Sequence, residues 1–186
     1  KDLERKALRS IRLNWAPTPD DVWRSQSELH AHSLHDTALN LVLEAFDDAE
    51  ASADASPIGV ALRGTAGSGK THLLGQVRER VQASGGYFFL IGLLDATTFW
   101  QTTLVGMLDD LTRPAPEQDT QLKLFLWRLA SITRITRAER RAIIGEDKLT
   151  PETLDKFVSA VHAVHPRLIN QSQSTLRALT LYATTD

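Results

Sequence analysis

The stretch Pro57-Ile58-Gly59-Val60-Ala61-Leu62-Arg63-Gly64-Thr65-Ala66-Gly67-Ser68-Gly69-Lys70-Thr71-His72-Leu73-Leu74 decides how the rest of the chain reads. Ile58 to Leu62 is a short apolar run without charge, bounded by Pro57 and Gly64, which is the pattern of a strand buried in a parallel sheet. Gly64 to Thr71 then spells Gly, four residues, Gly-Lys-Thr. Beyond it Leu73, Leu74, Val77 and Val81 take up a helical period that Ser84-Gly85-Gly86 stops. At ordinary residue frequencies such a pattern arises by chance in fewer than about one in a hundred chains of this length. A strand before it and a helix after it form the setting in which a glycine-rich loop cradles phosphate.

Each residue type in the loop has a physical reason. Glycine at Gly64, Gly67 and Gly69 permits backbone angles that a Cβ forbids, so the N–H groups of Gly64, Thr65, Ala66, Gly67, Ser68, Gly69, Lys70 and Thr71 are free to converge on a β-phosphate. The helix opening near Lys70 adds its positive dipole end and unsatisfied amides. Lys70 is the candidate for the β- and γ-phosphates of ATP, and the Thr71 hydroxyl the candidate metal ligand, for Mg2+. A glycine-rich turn with a solvated lysine leaves the coincidence of these features unexplained.

Hydrolysis asks for more: a carboxylate on a neighbouring strand for the metal shell, and a Glu to orient water. Asp95, after the apolar run Phe88 to Leu94, is the weak catalytic candidate, but Ala96 stands where the Glu would be. Asp109 and Asp110 follow an apolar run of helical period and read as solvated.

Outward from the loop, Tyr87 to Leu94 reads as a second buried strand, so that strand, helix and strand make a βαβ unit. The expected fold class is therefore α/β, a partial parallel-sheet core with an N-terminal helical segment and a helical C-terminal region. The expected division is 1–35, 36–113 and 114–186.

Upstream, Leu3 to Ile11 reads as a short helix, Thr18-Pro19 with Asp21 as a helix start, and Asp36 to about Ala51 as a helix carrying Leu39, Val42, Leu43 and Phe46 on one stripe. Ser52 to Pro57 reads as loop. Downstream, Phe99 to Leu111 is helical and Arg113-Pro114-Ala115-Pro116 closes it. Helices are then expected around Leu122 to Leu129, Thr136 to Ile144, from Thr150-Pro151 through Val161, and Leu168 to Tyr182.

Composition bounds the function classes. A chain of 186 residues, 42% apolar and 24% charged, folds and buries a core. With no Cys, disulfide frameworks and thiolate metal sites are excluded and a reducing, cytoplasmic setting is expected. The longest apolar run falls far short of the roughly 20 residues a membrane span needs, so no membrane partner is expected. A net charge of −2 argues against a generic polyanion binder. Arg134, Arg137, Arg140 and Arg141 face only Glu139 and carry no interleaved aromatic residues, which reads as a solvated helix face rather than a nucleic-acid surface. His162 and His165 read as surface histidines, and Trp100 and Trp127 as core.

Over Gly64 to Leu74 the sequence resembles AAA+ ATPases and their signal-transducing STAND relatives, P-loop ATPases in which this loop opens the first helix of the nucleotide-binding domain. The resemblance covers about residues 36–112. It implies an ATP and Mg2+ site, an α/β core flanked by helices, and assembly with other subunits or domains. It also implies an upstream cover for the adenine, for which Val22, Trp23 and His30 are the candidates. An acidic catalytic strand, sensor residues and a lid are not recognisable, so the chain, which begins with Lys1, is expected to be an excerpt with 114–186 as a helical insertion. A degenerate ATP binder is the other expectation. Three functions stay open: an ATPase coupling turnover to change in a larger assembly, a nucleotide switch with little hydrolysis, and a small-molecule kinase with Asp95 as base.

Overall fold

The computed structural model describes residues 18–24, 35–52, 57–92, 96–113, 119–165 and 169–185. The chain divides into two compact units, Lys1–Phe88 and Phe89–Asp186.

The first unit holds α1 (Pro19–Trp23), α2 (Asp36–Ala51) and α3 (Lys70–Ala83), and α2 and α3 enclose one small core. Asp21 accepts from the Thr18 N–H at 2.7 Å, and Pro19 starts α1 where its missing donor does no harm. Leu39 of α2 packs with Leu73, Val77 and Val81 of α3, spaced by four so that they share a face, and Val42, Leu43, Phe46, Leu62 and Phe88 close around them. Each fully buried aliphatic side chain there contributes about 1.5–3 kcal/mol. After α3 the Gly86 N–H donates to the Val81 carbonyl and the Gly85 N–H to that of Gln82, with Gly85 at φ +86°, so the glycine pair ends the helix by satisfying its last carbonyls.

Arg78 binds α1 to α3. It is buried, donates from Nε to the Val22 carbonyl at 2.9 Å and from a terminal nitrogen to that of Arg24 at 3.1 Å, and lies over the Trp23 ring. Burial pulls the Arg78 guanidinium below the usual arginine range, and Glu79 beside it works the other way.

The second unit holds α4 (Phe99–Thr112), preceded by a 3-10 turn at Ala96–Thr98, then α5 (Gln121–Ser131), α6 (Arg137–Ile143), α7 (Pro151–Val164) and α8 (Ile169–Ala183). Leu122, Leu126, Ala130, Ile143, Phe157 and Val161 are buried in its core, with Ala183 from the end of α8. Three starts are capped by threonine: Thr120, Thr136 and Thr150 each accept from the N–H three residues on. Gly145, at φ +84°, makes the turn after α6, and a Cβ there would lie 2.5 Å from the Ala183 carbonyl.

The expected α/β class is overturned: among the described residues there is no β-strand, and the architecture is helical throughout. The two expected strands show why. A parallel strand has no internal hydrogen bonds and exists only where a neighbour supplies a ladder. Residues 58–62 form no ladder with any described residue, and Ile58 and Val60 are about half exposed instead of buried between helices. In the other segment, the Leu90 N–H donates to the Asp110 carboxylate at 2.6 Å, so a helix side chain takes the place of a strand neighbour. The Leu3 to Ile11 helix lies outside the described residues. So does Leu168, whereas the other expected helices are present within three residues at either end.

Candidate functional site

The glycine-rich loop turns into the first residue of α3. Ser68 N–H donates to the Thr65 carbonyl at 3.3 Å, Gly67 and Gly69 take left-handed angles at φ +78° and +81°, and Gly69 is the N-cap residue. The first amides of α3 therefore point into the loop without an intrahelical partner, the arrangement that favours an anion. Gly64 is needed for a different reason from the expected one. Its φ is not positive, but a Cβ there would lie 2.6 Å from the Ser68 hydroxyl, so glycine supplies room.

Lys70 lies inside this turn. Its ammonium donates to the carbonyls of Gly64 and Thr65, both at 2.8 Å, and to the Ser68 hydroxyl at 3.4 Å. An ammonium has three donors, and all three are met by loop oxygens. Thr71 follows in the first turn of α3, partly exposed. The loop residues Gly64 to Gly67 are exposed and Ser68 to Thr71 half-buried.

One residue here escaped the sequence reading. His35, the N-cap residue of α2, places its imidazole against Gly69: a Cβ on Gly69 would lie 2.5 Å from Nε2 and 3.4 Å from Cε1. That Nε2 is buried and has no hydrogen-bond partner. Helical periodicity marks where α2 begins but not which part of the chain its first residue meets.

The other candidates divide. Asp95 and His30 lie outside the described residues. Val22 is buried and Trp23 is packed edge-on against Phe88 and beneath Arg78, so both serve the attachment of α1. Arg78 follows Lys70 by eight positions, about 12 Å along the helix axis. Asp109 is exposed, while Asp110 is buried. Burial pushes the Asp110 carboxyl above the usual range, opposed by the Leu90 N–H and by Arg113 and helped by Asp109.

The arginine run meets more acid than its own segment holds, because Arg141 pairs with both Glu146 and Asp147 at 3.1 and 3.2 Å. His162 and His165 are exposed and border an apolar groove of about 330 Å³ that includes Phe125, Leu129 and Leu176. Trp127 packs against the core of the second unit, but Trp100, expected in a core, is 81% exposed. Among the described residues no group of three or more His, Asp or Glu side chains is placed to hold a metal, and no helix is long and apolar enough to cross a membrane.

Comparison with protein-family models, with curated proteins and with solved structures finds no match.

Proposed function

We propose that the chain is an ATP-binding module of the AAA+ or STAND type of ATPase, Mg2+-dependent and cytoplasmic, coupling ATP binding and hydrolysis to change in a larger assembly of subunits or domains. The observation that carries this reading is the Lys70 ammonium inside a loop whose glycines adopt left-handed angles at the start of a helix. In this reading the loop amides of Gly64 to Thr71 hold the β-phosphate, Lys70 exchanges its loop carbonyls for β- and γ-phosphate oxygens, and the Thr71 hydroxyl holds Mg2+. Mg2+ held by the Thr71 hydroxyl would supply positive charge against the phosphates. The fit is chemical: the loop offers donors and a cation, which a polyanion takes up and a neutral ligand does not.

A second reading, a nucleotide switch with little hydrolysis, is favoured by one observation. No carboxylate among the described residues is bonded to a group of the loop. Titration calorimetry with ATP and Mg2+ tests the site itself. Lys70→Ala is expected to weaken ATP tenfold or more, on the order of 1.4 kcal/mol, with the helical circular dichroism kept. Thr71→Ala is expected to remove the gain in affinity on adding Mg2+. Unchanged affinity in Lys70→Ala sinks the assignment.

A further inference from the structure

Resting on the nucleotide reading, we propose that His35 belongs to the phosphate site, its Nε2 donating to a phosphate oxygen of the bound nucleotide or to one water on it. Two observations meet at this residue. Its imidazole occupies the space where a side chain on Gly69 would stand, at the point where the loop becomes α3. Its Nε2 is buried and lacks a partner.

A buried imidazole nitrogen without a hydrogen bond is unfavourable, and native structures leave few such atoms. A histidine kept for packing alone gains nothing from that nitrogen. His35 is also not used as a helix cap, since its side chain makes no capping bond to α2. Beside Nε2 lies Gly69, the residue before Lys70, whose ammonium now donates to the Gly64 and Thr65 carbonyls. A phosphate taken up by Lys70 and the amides that follow Gly69 would stand beside this nitrogen, and a bond to it would be charge-assisted. Donor, cation and amides then come from two helix starts, His35 of α2 and Gly69-Lys70 of α3.

The experiment titrates the whole chain, calorimetrically, with ATP·Mg2+ and with inorganic tripolyphosphate, in the wild type, His35→Ala, His35→Gln and Lys70→Ala. A bond to a charged group predicts that His35→Ala weakens both ligands about tenfold or more, and that His35→Gln, which keeps a side-chain N–H, recovers part of the loss. Side-chain 15N spectra add a readout independent of folding: the His35 Nε2 resonance is expected to move on adding ATP·Mg2+ in the wild type and to stay in Lys70→Ala. Should His35→Ala fail to fold, His35→Gln and the spectra decide. If Lys70→Ala loses ATP while His35→Ala binds both ligands as the wild type does, the His35 proposal is wrong and the nucleotide reading stands. Loss of ATP affinity with tripolyphosphate unchanged overturns it too, placing the contact on sugar or base. A wild type that binds neither ligand overturns the nucleotide reading and this proposal together.

Discussion

Gly69 carries two demands at one Cα. Its angles lie in the left-handed region, where an L side chain is strained by about 1–2 kcal/mol, and its open face is filled by His35. Gly69→Ala is therefore expected to destabilise the first unit by that amount plus the cost of displacing the imidazole, read as a lower urea midpoint. Pairing it with His35→Ala should return the second part and leave the first. A double variant no more stable than Gly69→Ala would show that the imidazole moves aside freely. The loop itself was legible because its requirements are local: Gly67 and Gly69 need their angles, and Lys70 reaches no further than Gly64. His35 was not legible, because its role depends on a meeting across 34 positions of sequence that no periodicity encodes.

Helices declare themselves along the chain, through a stripe such as Leu39, Val42, Leu43 and Phe46 and a start such as Thr150-Pro151, whereas a strand is defined by its neighbour. Ile58 to Leu62 has the composition of a strand and lacks the ladder, and Leu90 gives its amide to Asp110. Trp100 failed for a related reason, since spacing assigns a residue to a face and leaves unsaid what covers that face. One element predicts a pH effect. Glu139 begins α6 reciprocally with Thr136, and the Lys156 ammonium at 2.7 Å, followed by the Thr136 N–H and hydroxyl, holds its carboxyl down to about 2. A depressed carboxylate stabilises the fold above its ordinary value of 4.5, and that contribution is lost as pH falls toward about 2. Solvent screens this pair, so the effect is at most about 1 kcal/mol. Urea unfolding between about pH 5 and pH 2 should show a shallower loss in Glu139→Gln than in the wild type; parallel curves would remove the carboxylate from the account.

At the scale of the whole chain, the nucleotide reading proposed above gives the loop and Lys70 the phosphate, and the loop groups bonded to Lys70 are two carbonyls and a hydroxyl, with no carboxylate among them. Rate enhancement in such enzymes comes from fixed charges around the attacking water and the developing phosphate charge. The chain is accordingly expected to bind ATP and release phosphate slowly, measured at saturating ATP·Mg2+. Brisk release that Asp95→Asn abolishes would move Asp95 into the catalytic shell. The two units also differ in when they can form. Every contact of the first core lies before residue 89. The second core needs both Leu122 near its beginning and Ala183 near its end, where the carbonyl of Ala183 occupies the space left by Gly145. Chains emerge amino end first and domains fold as units. The first core can thus assemble while later codons are still being read, but the second must wait for its last helix. A chain released after Val164 would present Phe157 and Leu126 without Leu176, Leu179 and Ala183 beside them, a species for chaperones to bind.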